Sequence, residues 1–118
     1  MAVKRFEDLI VWQKAQELAA IIYNDFQGCK DFGFRDQIRR ASVSVSNNIA
    51  EGFERSSNAD FSKFLYYSLG SNSEVRSMIY LSVRLNLLPK GRADEIIEAT
   101  NEISRLLYGL IKSIKTNR

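Results

Sequence analysis

The sequence predicts an all-α protein, an antiparallel up-down-up-down four-helix bundle. Three observations predict it. In four separate segments apolar residues recur at spacings of three and four, the repeat of one helix face. A single proline, Pro89, leaves long stretches without a helix breaker. The links between the segments are short, which favours antiparallel neighbours packed at about 20°. The 118 residues are expected to form one domain, 1–118, that buries a core without metal or disulfide support.

The first helix is expected from Glu7 to Phe26, with Leu9, Trp12, Ala15, Ala19, Ile22 and Phe26 as its apolar stripe. Glu7 and Asp8 would sit in its first turn, where negative charge suits the macrodipole, and Gly28 would stop it. The second runs from Phe34 to Glu54. Its middle, Ser42-Val43-Ser44-Val45-Ser46, alternates like a strand. Five residues are short for that reading, and Ile38, Ala41, Val45, Ile49 and Phe53 carry a helical stripe straight through them. Serine and valine lose at most about 0.7 kcal/mol each in a helix, which burial of the stripe outweighs.

Ser57 and Asp60 have the spacing of a capping box that starts the third helix. Phe61, Leu65, Ser68, Asn72, Val75, Ile79 and Ser82 then form a regular seam with three polar members. Leu85, Leu87 and Leu88 close it, and Pro89-Lys90-Gly91 makes the turn. In the fourth helix Ile96, Thr100, Ile103, Leu107, Leu110 and Ile114 line the core. Asp94 and Glu95 are expected in the first turn, Lys112 and Lys115 in the last.

Composition narrows the function. Apolar residues at 45% and charged residues at 26% describe a globular rather than a disordered chain. One cysteine, Cys29, forbids an internal disulfide. The N-terminal residues show no signal-peptide run, and no apolar stretch is long enough to span a bilayer, so a cytoplasmic protein is expected, with no membrane partner. Histidine is absent, which removes the commonest general base and metal ligand and the Glu-x-x-His pairs of helical di-iron bundles. Glu51 and Glu74 as paired carboxylates lack a nucleophile and a pocket-forming loop. Cys29 beside Lys30 has no histidine partner. The expectation is therefore no enzyme, no catalytic residue, no metal, no cofactor and no small-molecule substrate.

Two polar features need an explanation. Arg40, Ser44, Asn48, Glu51 and Arg55 share one face of the second helix. That face is either a solvated surface carrying helical ion pairs or a partly buried network at a helix or subunit interface, since Asn and Ser are poor choices for an exposed helix. In the third helix Gly70 lowers helix stability by about 1 kcal/mol relative to alanine, and close approach of another backbone is its expected reason. Ser71 and Glu74 would face the second helix, with Arg55 or Arg40 as the partner of Glu74. The aromatics are read chiefly as core and interface filling, although stacking on RNA bases is the alternative.

Several runs together resemble one family. Phe6-Glu7-Asp8-Leu9-Ile10-Val11-Trp12-Gln13-Lys14-Ala15 resembles the opening of the four-helix-bundle proteins encoded in 23S rRNA intervening sequences. Asp36-Gln37-Ile38-Arg39-Arg40-Ala41, Ser44-Val45, Asn48-Ile49-Ala50-Glu51-Gly52 and Arg55 resemble its second-helix signature. Leu69-Gly70-Ser71 with Glu74 resembles that of the third helix. Ser46 stands where proline is frequent and Asn72 where leucine is common. The resemblance implies a homopentameric ring of antiparallel bundles. It also implies likeness in fold to the accessory variability proteins of diversity-generating retroelements, basic barrels that work with a reverse transcriptase and RNA. By the same resemblance Asn48, Glu51, Arg55, Ser71 and Glu74 are signature positions, structural or interfacial rather than catalytic.

Net charge is +3, mild for a nucleic-acid binder, but the last 14 residues carry Arg105, Lys112, Lys115 and Arg118 and no acid. Assembled copies would sum that field. The expected function is thus a non-enzymatic homo-oligomer that binds structured RNA through Arg105, Lys112, Lys115 and Arg118, with Arg39 and Arg40 second. A nucleic-acid-processing protein is a further candidate partner. The alternative is a protein-interaction scaffold with no nucleic-acid role.

Overall fold

Serine is tolerated inside a helix when its hydroxyl folds back onto the carbonyl of the preceding turn, and the disputed Ser42–Ser46 run does this. Ser42 Oγ donates to the Arg39 carbonyl (2.8 Å) and Ser46 Oγ to that of Val43 (3.3 Å). The run is helical throughout. The computed structural model describes residues 3–116. After a single 3₁₀ turn at Phe6–Asp8 come α1 (Ile10–Asp25), α2 (Phe32–Phe53), α3 (Asn58–Arg84) and α4 (Lys90–Thr116). Among the described residues there is no strand. Sequential helices pack antiparallel, α1 also meets α4, and the diagonal pairs α1/α3 and α2/α4 make no contact. The result is a rod of 48 × 21 × 20 Å.

The buried stripes follow the expected spacing through most of α2, α3 and α4, with Ile38, Val45, Ile49, Leu65, Val75, Ile79, Ile103 and Leu107 at 0 or 1% exposure. At the ends Phe53 is half-buried, and Ile111 takes the core place expected of Leu110, which is half-buried. In α1 the core face is turned from the expected one. Val11 and Leu18 are buried beside Ala15 and Ile22, while Trp12 and Ala19 are half-buried. The cause lies upstream. The 3₁₀ turn brings the Phe6 ring edge-on to Trp12 (centroids 5.3 Å apart), so the indole packs on the flank of the bundle.

The helix ends depart from expectation in ways that have local causes. Glu7 and Asp8 lie in the 3₁₀ turn, separated from α1 by extended Leu9, so the first turn of α1 holds no acid. No glycine has positive φ; α1 ends without an αL residue, and Gly28 merely lies in the link. Asp31 caps α2, its Oδ1 accepting from the Phe34 amide at 3.1 Å. Ser57 caps α3 as the spacing predicts, accepting from the Asp60 amide at 3.1 Å.

The turn between α3 and α4 is not Pro89-Lys90-Gly91, because Lys90 and Gly91 already belong to α4. Reversal occurs at Asn86, in the left-handed region at φ 58°. The Leu87 amide bonds the Ser82 carbonyl (2.8 Å) and the Asn86 amide that of Val83 (3.1 Å), the Schellman pair that satisfies the last carbonyls of a helix. Asn substitutes here for the more usual glycine. The earlier start of α4 moves Asp94 and Glu95 out of its first turn and leaves Lys115 as the only described basic residue in its last.

Gly70 also departs from expectation. It is exposed, and a Cβ built there meets nothing within 4 Å. The close approach belongs to Gly52 of α2, where a Cβ would lie 2.6 Å from Phe64 Cβ and 3.3 Å from the Phe61 carbonyl oxygen. Only glycine admits α3 at that distance.

Candidate nucleic-acid interface

Antiparallel packing sets the C-terminal half of α4 beside the N-terminal half of α3, at the end of the rod that also holds the α2–α3 link. At 100° per residue Tyr108 and Lys115 point to the α3 side of α4, while Arg105 and Lys112 lie on its outermost line. Lys115 Nζ donates to the Tyr66 hydroxyl at 3.5 Å and stands 5.6 Å from that ring's centroid. Tyr66, Tyr67 and Tyr108 are all about half exposed. Phe64 packs edge-on against Tyr67 and lies beneath two cations, Arg55 at 4.7 Å and Lys63 at 5.9 Å. Cations and aromatic rings therefore alternate across this end. A basin of about 750 Å³ adjoins them, lined by Ser56, Asn58, Ala59, Ser62, Ile114 and Lys115.

The other candidate cations are placed differently. Arg105 is exposed and 3.5 Å from Glu98, itself exposed. Lys112 is exposed on the outer line of α4. Arg118 lies outside the described residues. Arg39 is held between α1 and α2: its guanidinium stacks on Tyr23 at 4.5 Å and donates to the Tyr23 carbonyl at 2.9 Å, and Nε is buried without a partner. Arg40, one residue on, is fully outward.

Of the signature positions, Asn48 donates to the Ser44 carbonyl of its own helix (2.8 Å). Glu51 pairs with Arg55 at 3.8 Å. Glu74 does face α2, but its partner is Gln37 (3.4 Å) and neither Arg55 nor Arg40. Ser44, Asn48 and Ser71 are half-buried, whereas Arg40, Glu51 and Arg55 are exposed. The polar stripe of α2 is thus an outer face with a half-buried edge. The fully buried polar residues are Ser42, Ser46, Ser68, Asn72, Ser82 and Thr100, which lie on the apolar stripes or beside them.

At the far end of the rod, charges are matched. Arg92 reaches across to Asp25 with both Nε and Nη2, the second contact at 3.3 Å, and the Asp25 hydrogen bond raises its pKa. Lys90 donates to Asp94 at 2.8 Å, which raises its pKa likewise. Both cations hold their charge at neutral pH, and each has an acid beside it.

Among the described residues the two carboxylates weighed in the sequence, Glu51 and Glu74, do not come together. Gln37, the partner of Glu74, and Glu51 lie fourteen residues apart on α2, about 20 Å along the helix axis, so the two carboxylates cannot act on one substrate atom. The Cys29 thiol donates to the Asp31 carbonyl at 3.6 Å in the α1–α2 link. Among the described residues no group of three His, Cys, Asp or Glu side chains could hold a metal ion, and no helix is long and apolar enough to cross a membrane.

Comparison with known proteins agrees with the architecture. A family model described as 23S rRNA-intervening sequence protein matches residues 7–109. A crystal structure of a protein of unknown function from the S23 ribosomal protein family of Bacteroides thetaiotaomicron is 29% identical in sequence. It superposes with a TM-score of 0.82 over 87% of this chain and 99% of that one. No protein with a curated description matches.

Proposed function

We propose, from the premise that this chain belongs to the 23S rRNA-intervening sequence protein family, that it is a homo-oligomer binding structured RNA at the end of the bundle where α4 finishes and α3 begins. The protein is a four-helix bundle, and the role proposed for it is non-catalytic. The observation that carries the RNA reading is Lys115 donating to the Tyr66 hydroxyl beside exposed Tyr108, in a stretch of sequence that also holds Arg105 and Lys112 and no acid. Cations hold phosphates, and exposed rings stack on unpaired bases. The pentamer implied by the sequence resemblance would repeat this end around a common axis and sum its field.

Fluorescence anisotropy with a labelled RNA stem-loop tests the reading. Affinity is expected to fall steeply as salt rises, because each phosphate contact releases counterions. Replacing Arg105, Lys112, Lys115 and Arg118 with glutamine should flatten that dependence and weaken binding roughly tenfold or more. Unchanged affinity in this variant would show that RNA, if bound, is held elsewhere.

A second reading is favoured by a different observation. Tyr80, Leu81 and Leu85 are exposed together near the end of α3, away from the basic end, and clustered exposed apolar groups mark protein contacts. Partners that co-purify from lysate after nuclease treatment would support such a scaffold; partners lost with nuclease would support RNA.

A further inference from the structure

α2 and α4 run in the same direction at opposite corners of the bundle, and each presents one ridge to no helix of its own chain. At 100° per residue the outermost line of α4 is Glu98, Arg105, Gly109 and Lys112, with half-buried Glu102 at its α1 edge, paired to Lys14. That of α2 is Asp36, Arg40, Val43, Asn47, Glu51 and Glu54. From Arg40 onward the two lines have opposite charge order. Along the chain direction α2 begins at Asp36, which lies against Arg35, and then passes from basic, Arg40, to acidic, Glu51 and Glu54. α4 passes from acidic, Glu98, to basic, Arg105 and Lys112.

Shape accompanies charge. The ridge of α2 borders a groove between Phe6 and Tyr23, whose two basins of about 620 and 510 Å³ meet at Asn47, with half-buried Val43 and Ala50 in the floor. The ridge of α4 narrows at Gly109, where a Cβ would meet nothing. A glycine in mid-helix lowers stability by about 1 kcal/mol against alanine, and nothing within the chain explains it. Glu54 and Arg40 form no ion pair among the described residues. The Glu98–Arg105 pair is fully surface-exposed, so it holds neither partner firmly.

The register also fits. Ser68 donates to the Val45 carbonyl, and Asn72, one turn further along α3, reaches Thr100 and Ser104. Gln16 donates to Ser46, and Lys14 meets Glu102. Both routes place the Val45–Ser46 level of α2 beside the central turns of α4, from Thr100 to Tyr108. Counted along antiparallel helices, the two routes put Arg40 level with about residues 94–101 of α4 and Glu54 level with about residues 108–115, ranges centred near Glu98 and Lys112. A closed cyclic assembly relates its copies by rotation without translation. When the helices run along the rotation axis, these levels therefore carry over between neighbours.

We propose that α2 of one copy docks along α4 of the next in parallel, with Arg40 against the neighbour's Glu98 and Glu54 against its Lys112. This rests on the homo-oligomer reading above and says how that oligomer is built. It is a head-to-tail contact, different surfaces meeting at each junction. It draws Arg40, Arg105 and Lys112 into the seam, so that in the assembled particle Lys115 and Tyr66, on the α3 side of α4, are what face outward for RNA.

A charge swap tests it. Multi-angle light scattering over a concentration series is measured at low salt on nuclease-treated wild type, Arg40→Glu, Glu98→Arg and the double variant, with circular dichroism melts to confirm folding. Each single variant should raise the concentration at half-assembly about tenfold or more, since like charges are brought face to face. The double variant should return to within about threefold of wild type, its pair restored with reversed sign. An assembled wild type with an equally assembled Arg40→Glu, or a double variant that stays dispersed, overturns this seam and leaves oligomerisation standing. A monomeric wild type overturns the oligomer and the seam together.

Discussion

The seam between α2 and α3 and the seam between α3 and α4 share one helix and close by different physics. In the first, Gly52 lets α3 come so near that Phe61 and Phe64 press on the backbone of α2, and Ser68 donates across the gap to the Val45 carbonyl at 2.7 Å. In the second, the middle is polar. Asn72, fully buried, donates to the Thr100 carbonyl at 2.8 Å and to Ser104 Oγ at 2.9 Å, and Arg76 donates to Asn101 at 3.0 Å. The amide oxygen of Asn72 has no partner. One seam is specified by steric fit, the other by the direction of a few hydrogen bonds. The first should respond to a single added methyl group, the second to the loss or repair of polar satisfaction.

The largest expected effect removes the apolar frame around the polar seam. Ile103, 1% exposed, replaced by aspartate puts an unpaired charge into the face of α4 that holds the core. The expected loss is roughly 4 kcal/mol or more, lowering the melting temperature by about 15 °C or more. An unchanged thermal melt would show that the α4 stripe is not buried. Next come the two helix glycines, with opposite signs. Gly52→Ala drives a Cβ to 2.6 Å from Phe64 Cβ, and the expected destabilisation is about 1–3 kcal/mol. Gly70→Ala fills open space on the surface of α3 and should stabilise by about 0.5–1 kcal/mol through helix propensity alone. Urea titration of both variants reads the contrast; stabilisation at both positions would mean that the α2–α3 approach is looser than the structure has it.

That pair of glycines also shows what a sequence can and cannot carry. Four helices were legible because apolar spacing depends only on residue order, and Ser57 was legible as a cap because capping is local to one turn. Gly70 and Gly52 look alike in sequence, since each interrupts a helical pattern; what separates them is the side chains of another helix, Phe61 and Phe64, lying against Gly52 alone. Asn86 went unread for a related reason: Pro89 and Gly91 are the stronger turn residues, but the chain had already reversed at a Schellman motif that Asn can serve. At the candidate site the cations of α4 were plain from composition. The meeting of Lys115 with Tyr66 depends on which ends pack together. The engagement of Arg39 with Tyr23 depends on contact across two helices, which no spacing within one helix encodes.

The polar seam offers the finest test, because its centre is imperfectly satisfied. Asn72 gains two hydrogen bonds from its amide nitrogen and leaves its oxygen buried and unpaired. The Thr100 carbonyl lies in mid-helix, where the helix's own amides supply donors, and Ser104 is half-buried and within reach of water. Leucine shares the γ-branched outline of asparagine, is bulkier, and has no polar atom to satisfy. Asn72→Leu should therefore stabilise the bundle by about 1 kcal/mol, since removing an unpaired buried acceptor relieves its desolvation cost. Asn72→Ala, which removes the same groups and leaves a cavity, should destabilise by about 1–2 kcal/mol. Chemical denaturation of the two variants separates packing from polarity at one position. A leucine variant less stable than the wild type by a kilocalorie or more would mean that the bonds to Thr100 and Ser104 outweigh the orphaned oxygen, and that the α3–α4 seam is held as firmly by polarity as the α2–α3 seam is by fit.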